Sequence, residues 1–235
     1  MKKVIIMLLV VCSFHTLDAQ QDSWDENFNN SSFIRNTTIE SKDFIGSPFL
    51  LDNCVKGEIR FADGTVKSNV CINLDLYQKE VVLKLSESEE NYGLSLRLDD
   101  VKEIQLESKP LKGTTSNRRF ITVSEAQFAE SPSEKLFVYE VFGPTDRLIA
   151  FSSCELLEPE VGGYSTRDRA EFKKGTDYYL MNEDSKYEFF NFSKRRLKKL
   201  LGESKYTRVV DLLESQNKSL KTPQDLSWAI SNIEN

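Results

Sequence analysis

Histidine is almost missing from this chain: its 235 residues hold one, His15. Proline, at six, glycine, at ten, and cysteine, at four, are also sparse. Beyond residue 14 no apolar run approaches the roughly 20 residues that cross a bilayer as a helix. Each shortage excludes something. A single histidine, inside a segment that reads as removable, leaves no Ser-His-Asp or Cys-His nucleophile, no His-ligated zinc and no imidazole acid or base. No Cys-x-x-Cys pair, Gly-Lys-Ser/Thr phosphate loop or Gly-x-Gly-x-x-Gly turn occurs. The sequence therefore assigns no catalytic residue, no metal ligand and no cofactor.

What is present begins with an export signal. Lys2 and Lys3 precede an apolar run over residues 4–14, a short polar stretch follows, and Ala19 is small enough to stand before a cleavage site. Leu17 is large for the −3 position, so cleavage after Gln20 competes with cleavage after Ala19. A lipoprotein reading would acylate Cys12, although Val11 before it is bulky. The expectation is a protein exported to the periplasm, the outer envelope or the medium, with no transmembrane span. Removing residues 1–20 takes His15 away and moves the net charge from −6 to −7, as Lys2 and Lys3 leave with Asp18. Such an acidic chain is a poor match for phosphate backbones, and no nucleic-acid partner is expected.

Cys54, Cys71 and Cys154 remain, an odd number that permits one intramolecular disulfide at most. A polar leader over 21–45 carries Trp24, Phe28 and Phe33 and Asn-x-Ser/Thr sequons at Asn29, Asn30 and Asn36. Then Val55, Gly57, Ile59 and Phe61 alternate with polar residues up to Asp63-Gly64, and Val66, Val70, Ile72 and Leu74 alternate after it. Asp-Gly between two period-2 runs predicts a hairpin with Phe61 facing Val66, Gly57 facing Val70 and Val55 facing Ile72. That register sets Cys54 diagonally from Cys71, about 7–8 Å away, beyond the usual disulfide span. Without a bulge, both are free or one joins Cys154.

Further strands are expected over 80–85, 94–98, 103–106, 119–123, 136–142, 148–154, 178–181 and 187–192, separated by turn-forming residues. After Ser193 the period changes to that of helices: a basic one stopped by Gly202, a second over 203–216, and a third opened by Thr222-Pro223-Gln224-Asp225. The fold class is α+β: an antiparallel β-sandwich or barrel-like domain over 46–192, followed by a three-helix C-terminal cap over 193–235.

Gly46-Ser47-Pro48-Phe49-Leu50, Val55-Lys56-Gly57, Asp63-Gly64 and Asn73-Leu74-Asp75-Leu76-Tyr77 resemble the start of an exported Bacteroidota family without an established activity. The stretch from Tyr178-Tyr179-Leu180-Met181 through Phe192-Ser193-Lys194 to the helices is similar to its end. The likeness spans about half of the 235 residues. It implies export to the periplasm or outer envelope and carries over no functional residue.

Two surfaces and one set of acids remain as candidates. Lys194, Arg195, Arg196, Lys198 and Lys199 form a basic cluster on an acidic chain, suited to an anionic surface or an acidic envelope protein. Tyr178, Tyr179 and the aromatics of 187–192 suit either a glycan or peptide or the burial of the helical cap. Asp99, Asp100, Glu103, Glu155 and Glu158 could supply the paired carboxylates of a glycan or peptide hydrolase, if two of them converge. The acidic run at 86–90 lacks the Asp/Asn/Gly spacing of calcium loops. The preferred reading is a non-enzymatic binding or structural module of a bacterial cell envelope, with the carboxylate hydrolase as its alternative.

Overall fold

The computed structural model describes residues 44–84, 93–107, 117–132, 138–159 and 169–234, all within the unit Ile34–Asn235. The export signal, nearly all of the leader, the acidic run at 86–90 and Gly162-Gly163 lie outside them. Ten strands occupy β1 (Val55–Phe61), β2 (Val66–Asp75), β3 (Glu80–Lys84), β4 (Leu94–Leu96), β5 (Val101–Leu106), β6 (Arg118–Thr122), β7 (Val138–Phe142), β8 (Leu148–Leu157), β9 (Glu171–Met181) and β10 (Tyr187–Phe190). Two helices follow, α1 (Lys194–Ser215) and α2 (Pro223–Glu234).

The strands form one antiparallel sheet in the order β10-β9-β8-β7-β6-β5-β1-β2-β3-β4. The extended stretch before β1 stitches distant parts of it together. Ile45 bridges Glu171 of β9, and Phe49 bridges Asp75 of β2. Lys174 donates to the Phe49 carbonyl, and the Tyr77 and Phe172 rings meet edge-on at 5.6 Å. These pairings link β9 to β2 through residues 45–49, giving one large antiparallel sheet with a small helical cap.

The β1/β2 hairpin forms at Asp63-Gly64 with a longer loop than expected. Phe61 N–H donates to the Thr65 carbonyl at 2.8 Å, enclosing a three-residue loop that the Asp63 carboxylate braces through Thr65 N–H. Such a loop introduces an extra residue and shifts the register near the turn. Arg60 rather than Phe61 therefore faces Val66, and Val66 is exposed. The extra residue is reabsorbed at the bulge between Gly57 and Glu58, opposite Asn69 with its φ of 59°. Beyond the bulge, Gly57 faces Val70 and Val55 faces Ile72, as expected.

The cysteine expectation is corrected. Lys56 faces Cys71, so Cys54 is diagonal to it, yet the two are bonded with Cα atoms 5.3 Å apart. The cause lies ahead of β1. Between the Phe49–Asp75 and Val55–Ile72 pairs, residues 50–54 run alongside only Asn73 and Leu74 of β2. The surplus arches over β2 and brings Cys54 onto Cys71. Buried Asn73 holds this arch by acting like backbone: its Nδ2 donates to the Leu51 carbonyl at 2.9 Å, and its Oδ1 accepts Leu51 N–H at 3.1 Å. Cys154 is free and buried.

β8 and β9 run longer than their apolar patterns indicate, pairing from Leu148–Leu180 to Leu157–Glu171. Ser193 caps α1 as expected, its Oγ accepting Arg196 N–H at 3.2 Å. Gly202 breaks α1 with φ 75° and ψ 163°, a region essentially confined to glycine, so the expected first two helices meet there as segments of α1. Pro223 opens α2, but Asp225 reaches Lys218 Nζ at 2.8 Å and Ser219 N–H at 3.0 Å. Leu197, Leu200, Leu201, Val209, Leu213, Leu226, Ala229 and Ile230 bury against Phe142, Leu148, Ala150, Leu180 and Phe190 of the sheet.

Candidate functional site

The first segment of α1 separates its residue types by angle. At about 100° per residue, Leu197, Leu200 and Leu201 fall on the arc that faces the sheet, and all three are buried. Arg195 and Lys199 fall on the opposite arc, Lys194 and Lys198 on the flank nearer Leu201, and all four are exposed. Arg196 lies on the other flank. Its guanidinium donates to Glu188 Oε2 at 2.8 Å and to the Phe189 carbonyl at 3.0 Å, tying α1 to β10. Lys198 is paired with Glu203. The expected cluster of five thus divides: Arg196 is structural, Lys198 is partly neutralised, and Lys194, Arg195 and Lys199 have no partner among the described residues.

That placement opposes helix electrostatics. The first turn of a helix carries partial positive charge and favours acids. The first turn of α1 holds Lys194 and Arg195 and no acid.

A second feature was not anticipated from sequence. A groove of about 860 Å³ opens at the ends of β5, β6 and β7. Arg118 and Glu140 form its polar floor in a fork-to-fork pair, with Nε to Oε1 and Nη2 to Oε2 both at 2.7 Å. Arg119 also lines it and is paired with Glu103, at 3.4 Å, and with Asp146. Tyr178 of β9 forms one wall, and Pro223 and Gln224 of α2 form another. Burial, with the Glu140 charge adding to it, pushes the Tyr178 phenol up, so its hydroxyl stays protonated.

Close packing sets the position of α2 at this groove. Gly143 turns the chain after β7 with φ 77°, and a Cβ there would run into Ser227. Ser227 Oγ donates to the Phe142 carbonyl, pinning the second turn of α2 against the end of β7.

The expected aromatics divide by strand alternation. Tyr178, Phe190 and Phe192 pack toward the helices, as the burial reading anticipated. Tyr179, Tyr187 and Phe189 point the other way. Tyr179 and Tyr187 meet Phe128 at 5.3 and 5.5 Å, and Tyr179 meets Tyr139 at 6.0 Å. Burial, followed by the Asp146 charge, pushes the Tyr187 phenol up to about 12, and its hydroxyl donates to the Asp146 carbonyl.

Of the candidate acids, none of Asp99, Asp100, Glu103, Glu155 and Glu158 lines the groove, and among the described residues its lining holds one carboxylate, Glu140. Among the described residues no group of three or more His, Cys, Asp or Glu side chains is placed to hold a metal ion. No helix among them is long and apolar enough to cross a membrane. The chain matches no family model, no curated protein and no solved structure.

Proposed function

We propose that this protein is an exported, non-enzymatic binding or structural module of a bacterial cell envelope, and that the first segment of α1 is the face it turns toward an anionic surface. The observation that carries this reading is the unpaired set Lys194, Arg195 and Lys199, held outward while Leu197, Leu200 and Leu201 anchor the same segment. Cations at a helix N-terminus give up stability in the free protein. A partner rich in phosphate or carboxylate turns that arrangement into attraction, at about 1 kcal/mol per cation near a charged surface. Export is supported by the signal-like residues 1–20 and by the Cys54–Cys71 bond, which suits an oxidising compartment.

Co-sedimentation with vesicles tests the surface. The protein lacking residues 1–20 is expected to bind phosphatidylglycerol-containing vesicles, to release them as salt rises, and to ignore pure phosphatidylcholine. The double variant K194E/R195E is expected to bind more than tenfold more weakly. Binding that ignores salt and this variant, or no binding at all, would refute the assignment of α1.

A further inference from the structure

We propose that the groove at the ends of β5, β6 and β7 is a binding site for a neutral oligosaccharide, distinct from the basic face of α1 and independent of whether that face binds a surface. Among the described residues, the charges that line the groove are already matched. Arg118 is held by both oxygens of Glu140, and Arg119 by Glu103 and Asp146. A charged ligand would have to break one of these pairs and desolvate the remainder, which is unfavourable. A neutral polar ligand need not.

The forked pair also leaves capacity unused. Among the described residues Arg118 Nη1 has no acceptor, and each Glu140 oxygen can accept a second hydrogen bond. The Tyr178 hydroxyl, protonated and at the wall of the groove, has no hydrogen-bond partner among the described residues, nor do the amides of exposed Asn117 and Gln224. The groove thus offers donors and acceptors side by side around one phenol ring. Sugar hydroxyls, each both donor and acceptor, answer such a lining. Its volume of about 860 Å³ lies within the range of small-molecule sites, roughly 300–1,000 Å³. Gly143 and Ser227 fix α2 against β7, so the two walls are set before any ligand arrives.

Isothermal titration calorimetry of the chain lacking residues 1–20 tests this, with neutral hexasaccharides of glucose, mannose and N-acetylglucosamine as probes and a sulfated hexasaccharide as the charged comparison. At least one neutral probe is expected to bind saturably, with an affinity that does not change with salt. Tyr178→Phe keeps the ring contacts to Phe142 and Phe192 and removes only the hydroxyl, so affinity is expected to fall about five- to tenfold. The double variant N117A/Q224A, at exposed positions, is expected to lower it similarly. All variants should keep the vesicle behaviour of the parent protein. Saturation by none of the neutral probes, parental affinity in Y178F, or stronger and salt-dependent binding of the sulfated probe would each overturn the proposal.

Discussion

Gly143, Asn73 and Asp75 each hold a conformation or an environment that neighbouring residues impose. At Gly143 a side chain would need both a left-handed backbone and the space taken by Ser227. Gly143→Ala is expected to lower unfolding free energy by about 2–4 kcal/mol in urea titrations, through backbone strain and displacement of α2 together. Asn73 supplies a donor and an acceptor to Leu51 in the arch, beside the one backbone bond from Leu50 N–H to the Leu74 carbonyl. Asn73→Ala strands those buried groups, and a loss of about 2–3 kcal/mol is expected in the same assay. Asp75 has its carboxyl pushed up, by burial first and by the nearby Glu80 charge among lesser causes, against the pull of Tyr77 and Gln78 N–H. The native state therefore holds its proton more tightly than the unfolded chain does. Stability linked to Asp75 falls as pH rises through that window, and at neutral pH the ionised group detracts from it. Asp75→Asn keeps an oxygen for both N–H groups. It is expected to raise the melting temperature at neutral pH, with the gain shrinking as acid protonates the parent protein; a gain that persists in acid would contradict the assignment.

At the scale of elements, legibility followed locality. The hairpin, the Ser193 cap, the Gly202 break and Pro223 at the start of α2 each depend on a few adjacent residues, and all were readable from sequence. The lengths of β8 and β9 were not. Glu171, Lys173, Lys174 and Asp177 read as loop, yet a strand paired on β8 needs only its backbone. The Cys54–Cys71 bond was misjudged because the arch of residues 50–54 has no pattern of its own and arises from pairings on both sides of it. The groove left one faint trace. Arg118 and Glu140 are in phase with the buried Phe120 and Phe142, so polar residues sit on an otherwise apolar face. Their meeting depends on how β6 registers with β7, which no local pattern sets.

The disulfide gives this scale a direct test. Replacing Cys54 and Cys71 together by serine opens a link across 17 positions. The expected loss is about 3 kcal/mol from the added freedom of the unfolded chain, measured as a fall in the urea midpoint relative to the oxidised parent. The basic face makes an opposite pair of predictions. K194E/R195E, which weakens vesicle binding, is expected to stabilise α1 by about 0.3–1 kcal/mol per substitution by restoring acids to its first turn. A variant that loses both stability and binding would mean that Lys194 and Arg195 serve the fold.

For the whole molecule, the pieces describe one antiparallel sheet tied together before β1 and covered by two helices. A ten-stranded sheet, stitched by residues 45–49 and a disulfide, carries a helical cap whose inner side is apolar and whose first segment is basic outside. Export to an envelope is the claim on which the function rests. The measurement that tests it most directly is fractionation of the native host, with sequencing of the protein's N-terminus in the fraction where it is found. The account predicts recovery with the envelope, a start at Gln20 or Gln21, and a Cys54–Cys71 bond intact without added oxidant. A cytoplasmic protein that retains Met1 and carries free thiols at Cys54 and Cys71 would contradict it.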